Sequence, residues 1–270
     1  MEKPPLHIYR PFLNMIAVHI QCLDEKKEPI KGAYASGFIV QENGDLFLYT
    51  CWHVVTGYNM HDIEIGRNLP NRKFLEVNLQ KCTNSQPGIQ LIGGNQSSIL
   101  PLYDNQGIPL WIQNKEDVPH ESLNNIHLKV PYWHDAIKLE LPKEMSLSDM
   151  QIIKENQIFK DLPMVGEKIY IVGYPYGYST LGLEEPTAIT LTRFIAANQI
   201  KGRITEMLLD GPGTPGMSGG PIFIERGNIL FLLGIYTGLI YPDYIIEKNE
   251  KTTALGTMSN LIMWWRVDNE

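Results

Sequence analysis

Short runs of apolar, β-branched and aromatic residues, separated by glycine, proline and asparagine, recur along the whole chain. Runs of this length with turn residues between them predict many short antiparallel strands, as in β-sandwiches or β-barrels. Segments 43–45 (Asn-Gly-Asp) and 226–228 (Arg-Gly-Asn) stand between such runs, where hairpin turns are expected. A first set of predicted strands covers 15–21, 33–41, 45–49, 76–81, 126–130 and 136–141, and a second set covers 168–172, 187–194, 202–209, 221–224 and 229–236.

A stretch with few β-forming residues separates the two sets and divides the chain into halves of similar strand content. It contains Pro142, Pro163 and several charges, which indicates a surface connection. The predicted organisation is therefore an N-terminal unit over 1–141, a connection over 142–166 and a C-terminal unit over 167–270. Apolar residues at helical spacing within 253–267 predict a closing helix; these are Leu255, Met258, Leu261, Ile262 and Trp265.

Composition and charge narrow the possible functions. The 270 residues carry a formal net charge of −7 and no cluster of Lys and Arg, which argues against a nucleic-acid partner. No apolar stretch reaches the roughly 18 residues of a membrane span. Segment 1–11 lacks the basic start and apolar run of a secretory signal. The three cysteines, an odd number, favour reduced thiols, so a cytoplasmic protein is expected.

Segment 216–221 (Gly-Met-Ser-Gly-Gly-Pro) is the most informative motif in the chain. A serine hydroxyl becomes a good nucleophile when a base removes its proton and nearby donors receive the negative charge. Glycines around Ser218 let the backbone turn sharply and aim two N–H groups at one point. The amides of Gly216 and Ser218 are the expected oxyanion hole. A glycine-rich turn without a catalytic role is the simpler alternative.

The same motif also matches the nucleophile elbow of an α/β-hydrolase. In that fold the catalytic histidine follows the serine along the chain, whereas all seven histidines here precede Ser218. The chain also lacks the alternation of strands and long helices that a parallel sheet requires. The order of the residues therefore leaves an α/β-hydrolase without a base, and it also weighs against an esterase of another fold.

The base and the carboxylate that orients it must come from the N-terminal half. His53 ends an apolar strand in the context Thr-Cys-Trp-His-Val-Val, where a rigid strand end can hold an imidazole in a cleft. Asp135 opens another apolar strand, so its carboxylate can approach a buried imidazole and fix its tautomer. Position alone leaves open a structural role for His53, a base at His61, His127 or His134, and a turn-capping role for Asp135.

Six segments together resemble the trypsin-like (chymotrypsin-fold) serine peptidases, most closely the disulfide-free bacterial HtrA-type branch without its PDZ domain. They occur in the family's order, which makes the joint match more specific than any single motif. The resemblance implies an all-β fold of two six-stranded antiparallel β-barrels with a C-terminal helix and a site in the cleft between them. The six segments are 35–40, 50–55, 135–139, 172–177, 216–221 and 233–237.

The resemblance also implies a serine endopeptidase with a triad of Ser218, His53 and Asp135, an acyl-enzyme intermediate and a protein or peptide substrate. It implies no metal or organic cofactor and no nucleic-acid or membrane partner, and it leaves room for a regulatory protein partner. Pro212, and not an acid, stands six residues before Ser218, so a basic P1 side chain would lack a counter-ion there. Small or medium apolar P1 residues are therefore expected. The expected substrate-binding residues are Pro212, Gly213, Thr214, Tyr236, Thr237 and Gly238.

The spacing of the expected triad departs from the family pattern. The interval from His53 to Asp135 is long for the first barrel of this branch, and Asp104 is the alternative carboxylate. Met217 stands where zymogen-type relatives carry an aspartate that pairs with a newly cut N-terminus, so proteolytic activation is not expected. The rival function is a catalytically silent trypsin-like fold that binds peptides or proteins.

Overall fold

The computed structural model consists mainly of β-strands in two large sheets. It describes residues 10–58, 71–86, 89–113, 115–119, 129–145, 147, 151–177, 188–201, 204–211, 214–240 and 258–262. The strands up to residue 154 are β1 (Ala17–Leu23), β2 (Pro29–Glu42), β3 (Asp45–Thr50), β4 (Phe74–Gln86), β5 (Ile89–Pro101), β6 (Trp111–Ile112), β7 (Lys115–Pro119), β8 (Lys129–Trp133), β9 (Ile137–Glu140) and β10 (Ile153–Lys154). The later strands are β11 (Lys168–Gly173), β12 (Ile189–Lys201), β13 (Ile204–Leu209), β14 (Pro221–Arg226), β15 (Ile229–Ile240) and β16 (Met258–Ile262).

Helical structure in the described residues is limited to short elements. They are α1 (Trp52–Thr56) and 3₁₀ helices at Arg10–Met15, Glu155–Gln157 and Pro175–Gly177. No helix in the described ranges has the length and hydrophobicity required of a membrane span.

The first sheet has eight strands, with β5, β4, β1, β2, β3, β9 and β6 in that order and β10 paired with β2. The expected number was six. Three further strands, β5, β6 and β10, join this sheet, whereas the strand expected over 126–130 overlaps β8, which lies outside it. The short β10 lies in the segment expected to be a surface connection, and it runs parallel to β2 with Ile153 opposite Val40. β5 and β6 come from a stretch rich in Asn, Gln and Gly, where apolar alternation is weak. β5 nevertheless pairs with β4 over a long antiparallel register. β7 and β8 form a separate two-stranded sheet.

The second sheet is a closed barrel of six strands in the order β11, β12, β13, β16, β15 and β14, and it confirms the expected architecture of this half. The prediction of a closing helix is wrong over 258–262, because these residues form β16. In the ladder, Leu261 lies opposite Met207 of β13 on one side and Tyr236 of β15 on the other. Without β16 the facing backbone edges of β13 and β15 would lack partners, so strand pairing overrides the local helical spacing. The rest of 253–267 lies outside the described residues.

Both hairpin turns expected from the sequence are present. Asn43 (φ 50°) and Gly44 (φ 95°) connect β2 to β3, and Gly227 (φ 57°) and Asn228 (φ 66°) connect β14 to β15. Positive φ at both central residues is the signature of the type I′ turn, whose twist matches that of the flanking strands. The first turn sets the register of β3 against β2 and thereby fixes where the chain leaves β3 for α1.

The apolar core continues from the first sheet to the second. Phe38 of β2, Val172 of β11 and Phe223 of β14 are buried in one cluster, and a second cluster fills the closed barrel. Tyr174, also buried, donates its hydroxyl to the Ala17 carbonyl of β1 at 3.2 Å. The two sheets therefore pack directly on each other, and the end of β3 meets the segment that precedes β14.

Candidate active site

His53 lies on α1, a single helical turn that follows β3. Cys51 precedes the helix in an extended conformation, and Gly57 ends it with φ 81° while donating its N–H to the His53 carbonyl at 2.9 Å. A residue with a Cβ would be strained at this φ, so glycine suits the abrupt end of the helix. Val54 and Val55 are buried, which leaves the imidazole partly exposed, with 30% of its side-chain surface accessible.

Asp135 engages His53 through both carboxylate oxygens. Oδ2 lies 2.7 Å from the imidazole Nδ1, and Oδ1 accepts the backbone N–H of His53 at 3.0 Å. Asp135 stands just before β9, which pairs with β3, so the sheet itself brings the two residues together. Because the carboxylate accepts a hydrogen bond at Nδ1, a neutral imidazole carries its proton there and leaves Nε2 free to act as a base.

Arg72 supports α1, and nothing in the sequence pattern marks this residue. Its Nη1 donates to the carbonyl oxygens of His53, at 2.9 Å, and Val54. A cation is favourable at the C-terminal end of a helix, where the helix dipole places partial negative charge. The Cys22 thiol also donates to the Val54 carbonyl, at 3.3 Å. These contacts fix the backbone that carries the imidazole.

Residues 214–220, here called the nucleophile loop, are held by backbone hydrogen bonds. The Met217 N–H donates to the Thr214 carbonyl at 3.1 Å, and the Gly219 N–H donates to a β15 carbonyl at 2.8 Å. The N–H groups of Gly216 and Ser218 donate to no backbone carbonyl in the part of the chain that the structure describes. The loop therefore uses alternate amides for its own structure and leaves the other two unused.

The carbonyls next to the two unused amides are anchored. The Pro215 carbonyl accepts the Tyr176 N–H at 2.7 Å, and the Met217 carbonyl accepts the Gly220 N–H at 2.9 Å. In a trans peptide the C=O and N–H groups point in opposite directions. The N–H groups of 216 and 218 therefore point away from the Tyr176 and Gly220 amides that hold the two carbonyls. Donors of an oxyanion hole must be free in this way.

The nucleophile loop packs against the ends of β2 and β3. The Ser36 N–H donates to the Ser218 carbonyl at 2.9 Å, and the Cys51 thiol donates to a β15 carbonyl at 3.3 Å. A Cβ on Gly219 would lie 2.2 Å from the Ser36 carbonyl oxygen and 3.0 Å from Cα of Thr50. The backbones are thus in direct contact, and Ser218 lies beside the strand end that leads into α1.

The structure brings two of the three expected residues into direct contact and the third beside them. His53 and Asp135 are hydrogen-bonded, whereas the Ser218 hydroxyl makes no hydrogen bond to the imidazole within the described residues. Catalytic hydrogen bonds are often long in a free enzyme and tighten when the substrate binds. This arrangement can therefore support nucleophilic chemistry once the serine side chain and the imidazole close on each other.

The expected substrate-binding residues differ in their placement. The Tyr236 ring is buried in the core of the closed barrel, so only the backbone of this residue faces the nucleophile loop. Thr237 is also buried, and Thr214 and Gly238 are partly exposed. Pro212 and Gly213 lie outside the described residues.

The alternative carboxylate and the alternative bases do not form a second site in the described residues. Asp104 is exposed after β5, and its Oδ1 accepts two backbone N–H groups of its own turn, both at 2.8 Å. This is the ordinary turn-stabilising role of aspartate. His134 is fully buried. His61 and His127 lie outside the described residues.

Cys51, His53 and Asp135 bring metal-ligating atoms within 4.8 Å of one another. The Cys51 thiol is fully buried, and burial together with the nearby Asp135 charge raises its pKa well above the ordinary value. A metal ligand or a nucleophile must be a thiolate, whereas this group is a thiol that donates to a β15 carbonyl at 3.3 Å. For this reason the thiol is a weak rival to Ser218 as a nucleophile.

Comparisons with known proteins add little to this geometry. No family model and no curated protein matches the chain. Among solved structures, the chain is similar to the crystal structure of the thermostable serine protease AL20 from an extremophilic microorganism, with 12% identity, 92% of this chain and 90% of that chain covered, and a TM-score of 0.45. At this identity and TM-score the similarity carries no inference about activity. The fold class rests on the strands and pairings described above.

Proposed function

We propose that this protein is a serine endopeptidase that hydrolyses peptide bonds through Ser218, His53 and Asp135. The observation that carries the proposal is the double contact of the Asp135 carboxylate with His53, at Nδ1 and at the backbone N–H. This contact fixes both the tautomer and the orientation of the imidazole. A carboxylate that only capped a turn would not require the imidazole as a partner.

The residues of this site supply a chemical group for each step of the proposed reaction. Ser218 Oγ attacks the carbonyl carbon of the peptide bond while His53 Nε2 takes the hydroxyl proton. The N–H groups of Gly216 and Ser218 stabilise the oxyanion, and Asp135 stabilises the imidazolium. The imidazolium then gives its proton to the leaving amine, and the same nitrogen activates the water that hydrolyses the acyl-enzyme.

We propose that activity needs no cleavage of the N-terminus. The Met217 side chain is fully buried within the apolar cluster of the closed barrel. A thioether cannot form an ion pair with a terminal amine, and the nucleophile loop is held instead by backbone bonds and by Ser36.

A protein or peptide is the proposed substrate, with a small or medium apolar residue at P1 and no cofactor. The P1 preference rests on the sequence, where Pro212 provides no carboxylate for a basic side chain. A P1 profile dominated by Arg or Lys in a peptide library would contradict the proposed specificity.

The cytoplasmic location also stays a prediction. Cys22 and Cys51 are free thiols in the structure.

A fluorophosphonate probe tests the proposed activity, since it bonds only to an activated serine hydroxyl. The wild type should be labelled, while Ser218→Ala and His53→Ala should not be labelled at a comparable rate. Ser97→Ala is a matched control, because Ser97 is exposed on β5 and its hydroxyl donates to Glu76. A folded wild type that resists labelling and binds peptides without cleaving them would favour the silent binding fold.

A further inference from the structure

Ser36 is a buried polar residue that the proposed reaction steps do not use. It is fully buried on β2. Its hydroxyl donates to the Gly216 carbonyl at 2.8 Å and accepts the Tyr174 N–H at 2.9 Å. Its backbone N–H donates to the Ser218 carbonyl, and its carbonyl accepts the Thr50 hydroxyl, both at 2.9 Å. Every polar atom of Ser36 is therefore engaged, and two of its bonds end on the nucleophile loop.

These two bonds complete a set that fixes every peptide group from 215 to 219. The carbonyls of 215 and 217 are held by the Tyr176 and Gly220 N–H groups, and those of 216 and 218 are held by Ser36. Rotation of any of these peptides would leave a carbonyl without its partner, and the loss is costly at the buried residues Gly216 and Met217. The Ser36 hydroxyl is the only side-chain group in this set.

The hydroxyl also joins the nucleophile loop to a second segment, the turn that follows β11. Tyr174 begins this turn and donates to the Ser36 hydroxyl, while Tyr176 of the same turn donates to the Pro215 carbonyl. Tyr176 has φ 55°, a conformation that a residue with a side chain seldom adopts without support. A Cβ on Gly173 would lie 2.6 Å from the Ser36 hydroxyl oxygen, so this space admits no larger neighbour.

We propose that Ser36 is a positioning residue that holds the Gly216 and Ser218 amides in the orientation that stabilises the oxyanion. The inference rests on the proposed peptidase function. Ser36 acts through the loop carbonyls and does not touch the substrate. Loss of its hydroxyl lets the 216–217 peptide and the 174–177 turn move, so transition-state stabilisation is lost while ground-state binding is kept.

Ser36→Ala separates this role from a purely structural one. Its kcat should fall about 10- to 100-fold, less than the roughly 10²- to 10³-fold loss on removing an oxyanion donor outright. Its KM should stay within about twofold, because only a transition-state interaction is weakened. Val77→Ala is the control for destabilisation, since Val77 is fully buried on β4; it should lower the melting temperature and leave kcat unchanged.

Hydrogen exchange tests the same loop without using activity. In Ser36→Ala the amides of the peptide covering 214–220 should exchange about tenfold faster, while those of β4 keep wild-type rates. If wild-type protein shows no peptidase activity, the proposed function fails, and the exchange result still decides whether Ser36 holds the loop. Unchanged exchange, or a kcat within about twofold of wild type, would overturn the proposal.

A second variant keeps the test open if Ser36→Ala does not fold. Cysteine is close to serine in size and supplies a weak S–H donor in place of the hydroxyl. The kcat of Ser36→Cys should therefore lie between those of Ser36→Ala and wild type. If Ser36→Ala cannot be measured, the kcat of Ser36→Cys should lie below that of wild type. A cysteine variant that folds with full wild-type kcat and unchanged exchange at 214–220 would also contradict a positioning role.

Discussion

Asp135→Asn is the most direct test of the paired carboxylate and imidazole. Asparagine keeps the shape of aspartate and one oxygen, so it can still accept the His53 backbone N–H that Oδ1 now accepts at 3.0 Å. The second oxygen, which lies 2.7 Å from Nδ1, becomes an NH₂ group. An amide donor at this position requires an unprotonated Nδ1 and moves the proton to Nε2. The imidazole then has no free nitrogen with which to take the serine proton.

The expected loss is large because the substitution acts on the base itself. In a Ser-His-Asp triad, replacing the aspartate by asparagine lowers kcat by about 10⁴-fold, equivalent to about 5 kcal/mol of activation free energy. Folding stability should change much less, because the backbone hydrogen bond remains and only one charge-assisted bond, of about 1.5–3 kcal/mol, is lost. Activity and stability should therefore separate clearly.

The measurements are kcat on a peptide substrate, the rate of fluorophosphonate labelling and the urea midpoint. Asp104→Asn is the matched control, since Asp104 is an exposed carboxylate whose Oδ1 accepts two backbone N–H groups. The control should keep wild-type kcat. A folded Asp135→Asn protein with kcat within about tenfold of wild type would refute the assignment of Asp135 as the residue that orients the base.

Three further predictions follow from other positions. Burial lowers the pKa of His19 to about 4, below the roughly 6.5 of the unfolded chain. Stability should therefore be complete above pH 6.5 and fall by about 3 kcal/mol as the pH drops to 4; equal urea midpoints at pH 7 and pH 4.5 would contradict this. Gly219→Ala places a Cβ 2.2 Å from a carbonyl oxygen at φ 85° and should abolish labelling, whereas Gly44→Ala at φ 95° has open space and should cost only about 1–2 kcal/mol. Because Met217 is buried and cannot pair with a new N-terminus, the uncut chain should react with the fluorophosphonate probe at full rate. If mass spectrometry finds the label only on cleaved protein, activity without cleavage is contradicted.

Local sequence signals predict the strands and turns of this protein well where the pattern is short-range. The turns at 43–44 and 227–228 need only residues that tolerate positive φ, and both form as expected. The helix expected over 253–267 fails at 258–262 because the open edges of β13 and β15 are created elsewhere in the chain. No window of neighbouring residues contains that information. The same holds for β10, whose partner Val40 is more than a hundred residues away.

The residues of the candidate site also differ in whether the sequence identifies them. Residue type, context and the order of the six matching segments together single out His53, Asp135 and Ser218 as the candidate base, carboxylate and nucleophile. Arg72 lies outside those segments and Ser36 lies inside one of them without a role of its own, although each holds backbone next to a candidate catalytic residue. The Ser36 hydroxyl meets the Gly216 carbonyl across 180 positions of sequence. A serine in an apolar strand has the same appearance whether it meets a loop carbonyl or a neighbouring strand.

The geometry between the proposed base and the proposed nucleophile depends on how the two sheets meet. Asp135 and His53 are held together within the first sheet, whereas Ser218 belongs to the segment before β14. Apolar contacts such as those in the cluster of Phe38 and Phe223 hold the sheets together, but the hydrophobic effect has no direction and tolerates sliding. Hydrogen bonds from Ser36 and the Cys51 thiol, with lengths of 2.8–3.3 Å, do have direction. Each is worth only about 0.5–1.5 kcal/mol net, yet together they select one alignment of the sheets, and with it one position of Ser218 beside α1.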